Sequence, residues 1–122
     1  MHRRKSTSLT ASPEFERVYR NGSVYRGKLF SVHVLPNTIG KPRLGLSVSK
    51  KVGSAVKRNK VRRRLKEVFR SSMERLSGDL DFVISARPAA AEATFEELNE
   101  EFLRSLHRFG RSDNGREAGS VS

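Results

Sequence analysis

The chain has 122 residues and carries 25 Lys and Arg against 13 Asp and Glu, a formal net charge of +12. One domain of this length buries roughly two thirds of the surface its unfolded form exposes, and an excess of positive charge points to polyanionic partners rather than to a fold. No apolar run approaches a membrane span, no cysteine is present for a disulfide or thiolate metal site, and the acid-free start "MHRRKSTSLTASP" lacks the apolar stretch of a signal peptide, so a cytoplasmic protein is expected.

In chain order, that start has the basic, Ser/Thr-rich character of a transit peptide as well, but it is short and runs directly into a helix signal. In "ASPEFERVYRNG", Ser12 is a cap, Pro13 suits the first helical position, Glu14 complements the dipole and Asn21-Gly22 stops the helix. The run "KLFSVHVL" alternates Phe30, Val32 and Val34 against Ser31, His33 and Leu35. After the turn-forming "PNTIGKP", "RLGLSVSK" alternates Leu44, Leu46 and Val48 against Gly45, Ser47 and Ser49, and the two runs predict a pair of antiparallel strands. Ser54 then caps a helix whose apolar Val61, Leu65, Val68 and Phe69 recur at helical spacing. A third strand, "DLDFVISA", follows. The last helix opens on a capping box, Thr94 with Glu97, and is expected to close at Gly110. The class is α+β in the order α-β-β-α-β-α, with a single domain expected over residues 1–110 and a disordered basic and polar tail over 111–122.

The second helix, "KRNKVRRRLKEVFR", holds eight cations and one anion, Glu67. With Val61, Leu65 and Val68 turned to the core, Arg58, Arg62, Lys66 and Arg70 form one i, i+4 stripe beside them. Like charges at that spacing cost an isolated helix roughly 0.2 to 0.5 kcal/mol per pair, on the order of 1 kcal/mol for the stripe. A solvated basic face is the bland reading. The one-sided sign, the excess charge and Asn59, a poor helix residue with a useful amide, favour a phosphate-bearing partner instead. Phe15 and Tyr19, one turn apart on the first helix, suit a stacking platform for unpaired bases, although core positions are the alternative. Gly45, Ser47 and Ser49 leave one strand face small enough for a ligand backbone or for a packed helix, and His33 belongs to the open set on its own strand without a partner that would make it catalytic.

No catalytic constellation emerges. Asp79 and Asp81 flank a strand start, Glu96, Glu97, Glu100 and Glu101 read as a solvated helix face, and neither phosphate-binding loops nor zinc spacings occur.

The block "LGLSVSKKVGSAVKRNKVRRRLKEVFR", with "FERVYRNG" before it and "DFVISARP" after it, resembles the bacterial ribonuclease P protein component. The three blocks cover nearly all of the chain from Phe15 to Phe109. The resemblance implies a small basic subunit that assists a catalytic RNA in removing the 5′ leader of precursor tRNA, itself inactive, with Mg²⁺ held mainly by RNA and no cofactor on protein side chains. Its partners would be the catalytic RNA subunit and precursor tRNA, with neither membrane nor DNA. It implies RNA-subunit contacts by Lys50, Lys51, Lys57, Arg58, Asn59, Lys60, Arg62, Arg63, Lys66 and Arg70. Here Lys60 replaces the last Arg of an Arg-Asn-Arg signature and so lacks its planar fork. The leader cleft would comprise Phe15, Tyr19, His33, Ser47, Ser49 and Arg87, with His33 where an aromatic is common and Arg87 followed by Pro88 rather than a second basic residue. The implied sheet is mixed, with room for a short strand near residues 23–26 and a left-handed βαβ crossover, against the right-handed form seen in about 98% of cases. The rivals are a ribosomal or other structural RNA-binding protein, which composition alone does not separate, and an independent nuclease, which the missing carboxylate constellation disfavours.

Overall fold

The computed structural model describes residues 13–73, 76 and 78–119, and the side chains among them as far as Phe109; the expected cap Ser12 lies outside the described residues. Helix α1 spans Pro13–Asn21 and strand β1 Ser23–Arg26, the short strand allowed for by the family resemblance. Strands β2 (Phe30–Pro36) and β3 (Arg43–Ser47) follow, then a 3-10 turn at Lys50–Val52 and helix α2 (Ala55–Ser71). Strand β4 (Leu80–Ala86), a 3-10 helix at Pro88–Glu92 and helix α3 (Phe95–Gly119) complete the chain.

The sheet order is β1-β2-β4-β3, with β2 antiparallel to both its neighbours and β3 parallel to β4. The two runs expected as antiparallel strands, β2 and β3, do run in opposite directions, but they do not pair with each other: β4 lies between them. The physical reason is burial. Asp81, Phe82, Val83 and Ile84 are all 0% exposed, and a strand apolar toward both faces belongs in the middle of a sheet. The β2–β3 connection is anchored to β4 as well, since Asn37 N donates to Asp79 O at 2.8 Å and the Asn37 amide donates to Asp81 Oδ1 at 2.7 Å. Parallel β3 and β4 are joined through α2, the crossover unit.

One face of the sheet carries the main core. Phe30, Val32, Val34, Phe82 and Ile84 pack with Val61, Leu65, Val68 and Phe69 of α2 and Leu98 and Phe102 of α3. The rings of Phe69, Phe82 and Phe102 sit 5.5 to 6.1 Å apart in edge and tilted arrangements, the geometry aromatic quadrupoles prefer. The two predicted helix caps that lie among the described residues form: Ser54 Oγ accepts from Lys57 N, and Thr94 and Glu97 exchange the reciprocal bonds of a capping box at 2.9 and 3.1 Å. The predicted stop at Gly110 does not occur, because Gly110 stays helical and α3 continues to Gly119. A helical glycine costs only about 1 kcal/mol relative to alanine, so it ends a helix only where it takes up a left-handed cap.

The other face is covered over part of its area by α1. Val18 and Val83, both 0% exposed, form a small second core with half-buried Phe15 and Leu35. Gly22 is required where α1 meets β2, since a Cβ there would fall 2.6 Å from Val34 O and 2.7 Å from Val18 O.

Candidate nucleic-acid interface

Strand register decides what the uncovered part of the α1 face presents. Directly opposite residues share a face, and Arg26 lies opposite Ser31, Ser31 opposite Ser85, and Ser85 opposite Ser47. A row of one guanidinium and three hydroxyls therefore crosses all four strands, about 15 Å at the usual strand spacing. The row beneath α1 reads Val24, His33, Val83, Gly45.

Three rings border the row. Phe15 and Tyr19 stack at 6.4 Å with 25° between planes, and Tyr19 and His33 at 4.5 Å and 26°. Phe15 is half-buried against Val83 and Leu35, so it serves packing as well, whereas Tyr19 is 45% exposed. Tyr19 Oη lies 3.5 Å from Ser85 Oγ, which links the rings to the hydroxyl row. Arg87 closes one end: its Nε donates to Gly27 O at 2.8 Å and a terminal nitrogen to Ser31 Oγ at 3.3 Å. Ser47 stands in the row, but Ser49 does not; its Oγ accepts from Lys51 N and caps the 3-10 turn.

Sequence reading missed Arg26, Ser31 and Ser85. Alternation already set Ser31 on the side of His33, but only the true strand order brings Ser85 between Ser31 and Ser47.

Among the described residues, His33 Nδ1 is buried without a hydrogen-bond partner. Burial first, and then the positive charge of Arg26, hold the imidazole pKa below its ordinary 6.5, while the Val83 main chain opposes the shift. A base whose folded pKa is depressed contributes stability that is complete above the unfolded pKa and lost as pH falls through the folded one. The stability of the protein should accordingly decline as pH drops below 6.5. Replacing His33 by Phe should flatten that decline in denaturant titrations between pH 5 and 6.5; an unaltered profile would assign it to other groups.

The cationic helix splits into two flanks. Lys57 Nζ lies 3.7 Å from Glu92, Arg64 donates to Ala93 O at 2.7 Å, and Lys60 lines an open groove with Arg64, Glu92 and Glu96, so this flank faces the Pro88–Glu92 turn and its carboxylates. On the other flank, Asn59 Oδ1 accepts from Arg62 at 2.9 Å, while Arg63 and Lys66 are exposed without an ion pair among the described residues. Arg70 is held by Glu67 at 3.3 Å, and Arg58 Nε donates to Gly53 O at 3.1 Å, bracing the entry to the helix. Lys50 and Lys51 are exposed on the 3-10 turn between β3 and α2. The ten predicted RNA-subunit residues thus lie on two consecutive elements, the 3-10 turn and α2; on α2, Arg63 and Lys66 are exposed without an ion pair among the described residues, and Arg62 is bonded to the Asn59 amide.

The carboxylates have structural work. Asp81 accepts from Arg43 Nε and a terminal Arg43 nitrogen, both at 2.9 Å, and from Asn37. The reading of Glu101 as solvated is corrected: it is 3% exposed, accepts from Leu29 N at 3.2 Å and lies 3.7 Å from Arg104. Gly27 makes that burial possible, since a Cβ there would overlap the carboxylate. Among the described residues no three His, Asp or Glu side chains are grouped to hold a metal ion.

The family described as Ribonuclease P matches residues 3–110. The ribonuclease P protein component of Lactobacillus delbrueckii subsp. bulgaricus is 37% identical over 106 residues, covering 85% of this chain and 88% of that protein. The one from Caldanaerobacter subterraneus subsp. tengcongensis is 40% identical over 106 residues, covering 87% and 91%. Among solved structures, a Staphylococcus aureus RNase P protein mutant with defective mRNA degradation activity aligns with TM-score 0.80 at 31% identity, covering 87% of this chain and 90% of that one. The RNase P protein from Thermotoga maritima aligns at 0.72 and 28%, covering 79% and 91%.

Proposed function

The chain belongs to the ribonuclease P family as a protein component of that RNA-processing enzyme, and from this premise we propose that it binds a catalytic RNA subunit through α2 and the unpaired 5′ leader of precursor tRNA through the α1 face. The observation that carries the division is the pairing of two unlike surfaces. One is a helix of cations suited to the phosphates of a folded RNA. The other is a ladder of three rings beside a row of hydroxyls and guanidinium groups, suited to stacked, unpaired nucleotides.

Leader removal is hydrolysis of a phosphodiester, and it needs an activated water and stabilisation of the departing oxygen. Two of the carboxylates weighed for a protein-only metal mechanism are engaged in structure, Asp81 with Arg43 and Asn37, Glu101 with the β1–β2 turn. The chemistry is therefore assigned to the RNA, which also holds Mg²⁺ on its phosphates, while the protein supplies positive charge and a grip on the substrate. The proposed setting is the cytoplasm; among the described residues no helix is long and apolar enough to cross a membrane.

Purified protein with Mg²⁺ should leave precursor tRNA intact, and addition of a cognate RNA subunit should restore cleavage at the mature 5′ end. Cleavage by protein freed of RNA and contaminating nuclease would sink the assignment of chemistry to RNA. Tyr19→Leu should leave assembly and stability nearly unchanged while the holoenzyme loses most of its preference for precursor over leaderless tRNA, since one stacked base is worth about 1 to 3 kcal/mol. An intact preference with a sharply lower Tm would return Tyr19 to the core.

A further inference from the structure

Helix α1 is nine residues long and buries one side chain completely, Val18. Helices this short are marginal by themselves, so the placement of its rings depends on how its ends are fixed. At the C-terminal end Gly22 allows contact with the β2 main chain, and Gly22 N donates to Val18 O at 2.9 Å. At the N-terminal end the fixing point is a side chain of the sheet. Arg43, at the start of β3, uses one edge of its guanidinium for the fully buried Asp81 of β4 and reaches Glu14 Oε1 with its remaining terminal nitrogen at 3.2 Å. The Arg43 side chain is 13% exposed and Glu14 is 55% exposed, so the rigid partner is the sheet and the adjustable one is the helix. Glu14 immediately precedes Phe15, and Tyr19 follows one turn later.

We infer that Arg43 is a positioning residue for leader binding: locked to Asp81, it holds Glu14 and thereby sets the pose of Phe15 and Tyr19 over His33 and the hydroxyl row. A planar fork is needed, since two carboxylates on different elements must be met at once, and lysine does not supply it. The inference rests on the proposed leader site.

Arg43 is a poor place to test this, because its loss strands a buried carboxylate. Glu14→Gln removes the charge on α1 and leaves the Arg43–Asp81 pair in place. The control is Glu16→Gln, which removes an acidic residue from the same first turn, and hence the same favourable dipole interaction, but whose carboxylate pairs with Arg20 at 3.9 Å rather than with the sheet. Holoenzymes reconstituted with each variant would be compared for binding of precursor and leaderless tRNA, alongside amide exchange of residues 13–21 in the free protein. Glu14→Gln should lower the leader preference about two- to fivefold, the range of an exposed ion pair. It should raise KM for precursor tRNA alone, quicken exchange in α1, and leave RNA-subunit affinity and Tm nearly unchanged. Glu16→Gln should leave the preference as it is. Equal losses in both variants would reduce the effect to helix charge and overturn the inference, as would faster exchange with an intact preference. Should Tyr19→Leu leave leader preference whole, the leader site itself fails; should Tyr19→Leu abolish it while Glu14→Gln does not alter it, only the positioning role fails.

Discussion

Replacing Arg62, Arg63 and Lys66 together by alanine should flatten the dependence of RNA-subunit affinity on salt by about 2 to 2.7 in log-log slope, at 0.7 to 0.9 for each phosphate no longer neutralised. Over a fourfold rise in salt, from 50 to 200 mM, the native protein would then lose roughly 20- to 40-fold more affinity than the variant. The choice of residues follows from the helix. Arg58 is engaged with Gly53 O, Arg64 with Ala93 O and Lys57 with Glu92, so removing any of them mixes a structural cost with a binding one. Among the described residues Arg63 and Lys66 form no ion pair, and Arg62 is bonded to the Asn59 amide. Alanine keeps the helix, since it is the best helix former, and it relieves the like-charge spacing of Arg58, Arg62, Lys66 and Arg70, so the free protein should be as stable as before or slightly more so. Salt titration of binding, with urea denaturation of the free protein alongside, measures both quantities. An unchanged slope would make this flank a solvated surface and move RNA binding to the Lys57, Lys60 and Arg64 side.

That flank was legible in the sequence because helical periodicity is a local property: Val61, Leu65, Val68 and Phe69 are buried as their spacing requires. The caps at Ser54 and Thr94 were legible for the same reason. Alternation in β2 and β3 likewise separated Phe30, Val32 and Val34 from Ser31 and His33. What alternation does not contain is the identity of a strand's neighbour. Short connections favour hairpins, so β2 and β3 read as partners until the burial of β4 on both faces places it between them. The hydroxyl row was hidden by that one error, since Ser31 and Ser47 meet only through Ser85. Glu101 was hidden by distance along the chain, because the groups that take it out of water, Gly27 and Leu29, lie on the β1–β2 turn.

Asp81→Ala should be the most damaging of these substitutions to the fold itself, costing about 3 to 5 kcal/mol, because breaking a buried ion pair leaves the other charge without its partner. Its carboxylate is 0% exposed and receives two bonds from Arg43 and one from Asn37. With it removed, the Arg43 guanidinium keeps, among the described residues, the pair with Glu14, whose exposed carboxylate offsets little. The Asn37 amide also loses its anchor, and with it the β2–β3 connection loosens from β4. Replacing both partners at once, Arg43→Met with Asp81→Leu, removes the charges together and should recover most of the loss, since apolar pairs of similar volume often match buried ion pairs. The two experiments therefore separate stability from placement. In urea titrations the single variant should fall by several kcal/mol and the double variant by far less than the sum of its parts. In the reconstituted holoenzyme the double variant, though folded, should still show weakened leader preference, because its α1 has lost the tie at Glu14. A single variant that stays within about 1 kcal/mol of the native protein would mean that water reaches position 81 once the carboxylate is gone. The clamp on α1 would then have to be sought at Gly22 alone.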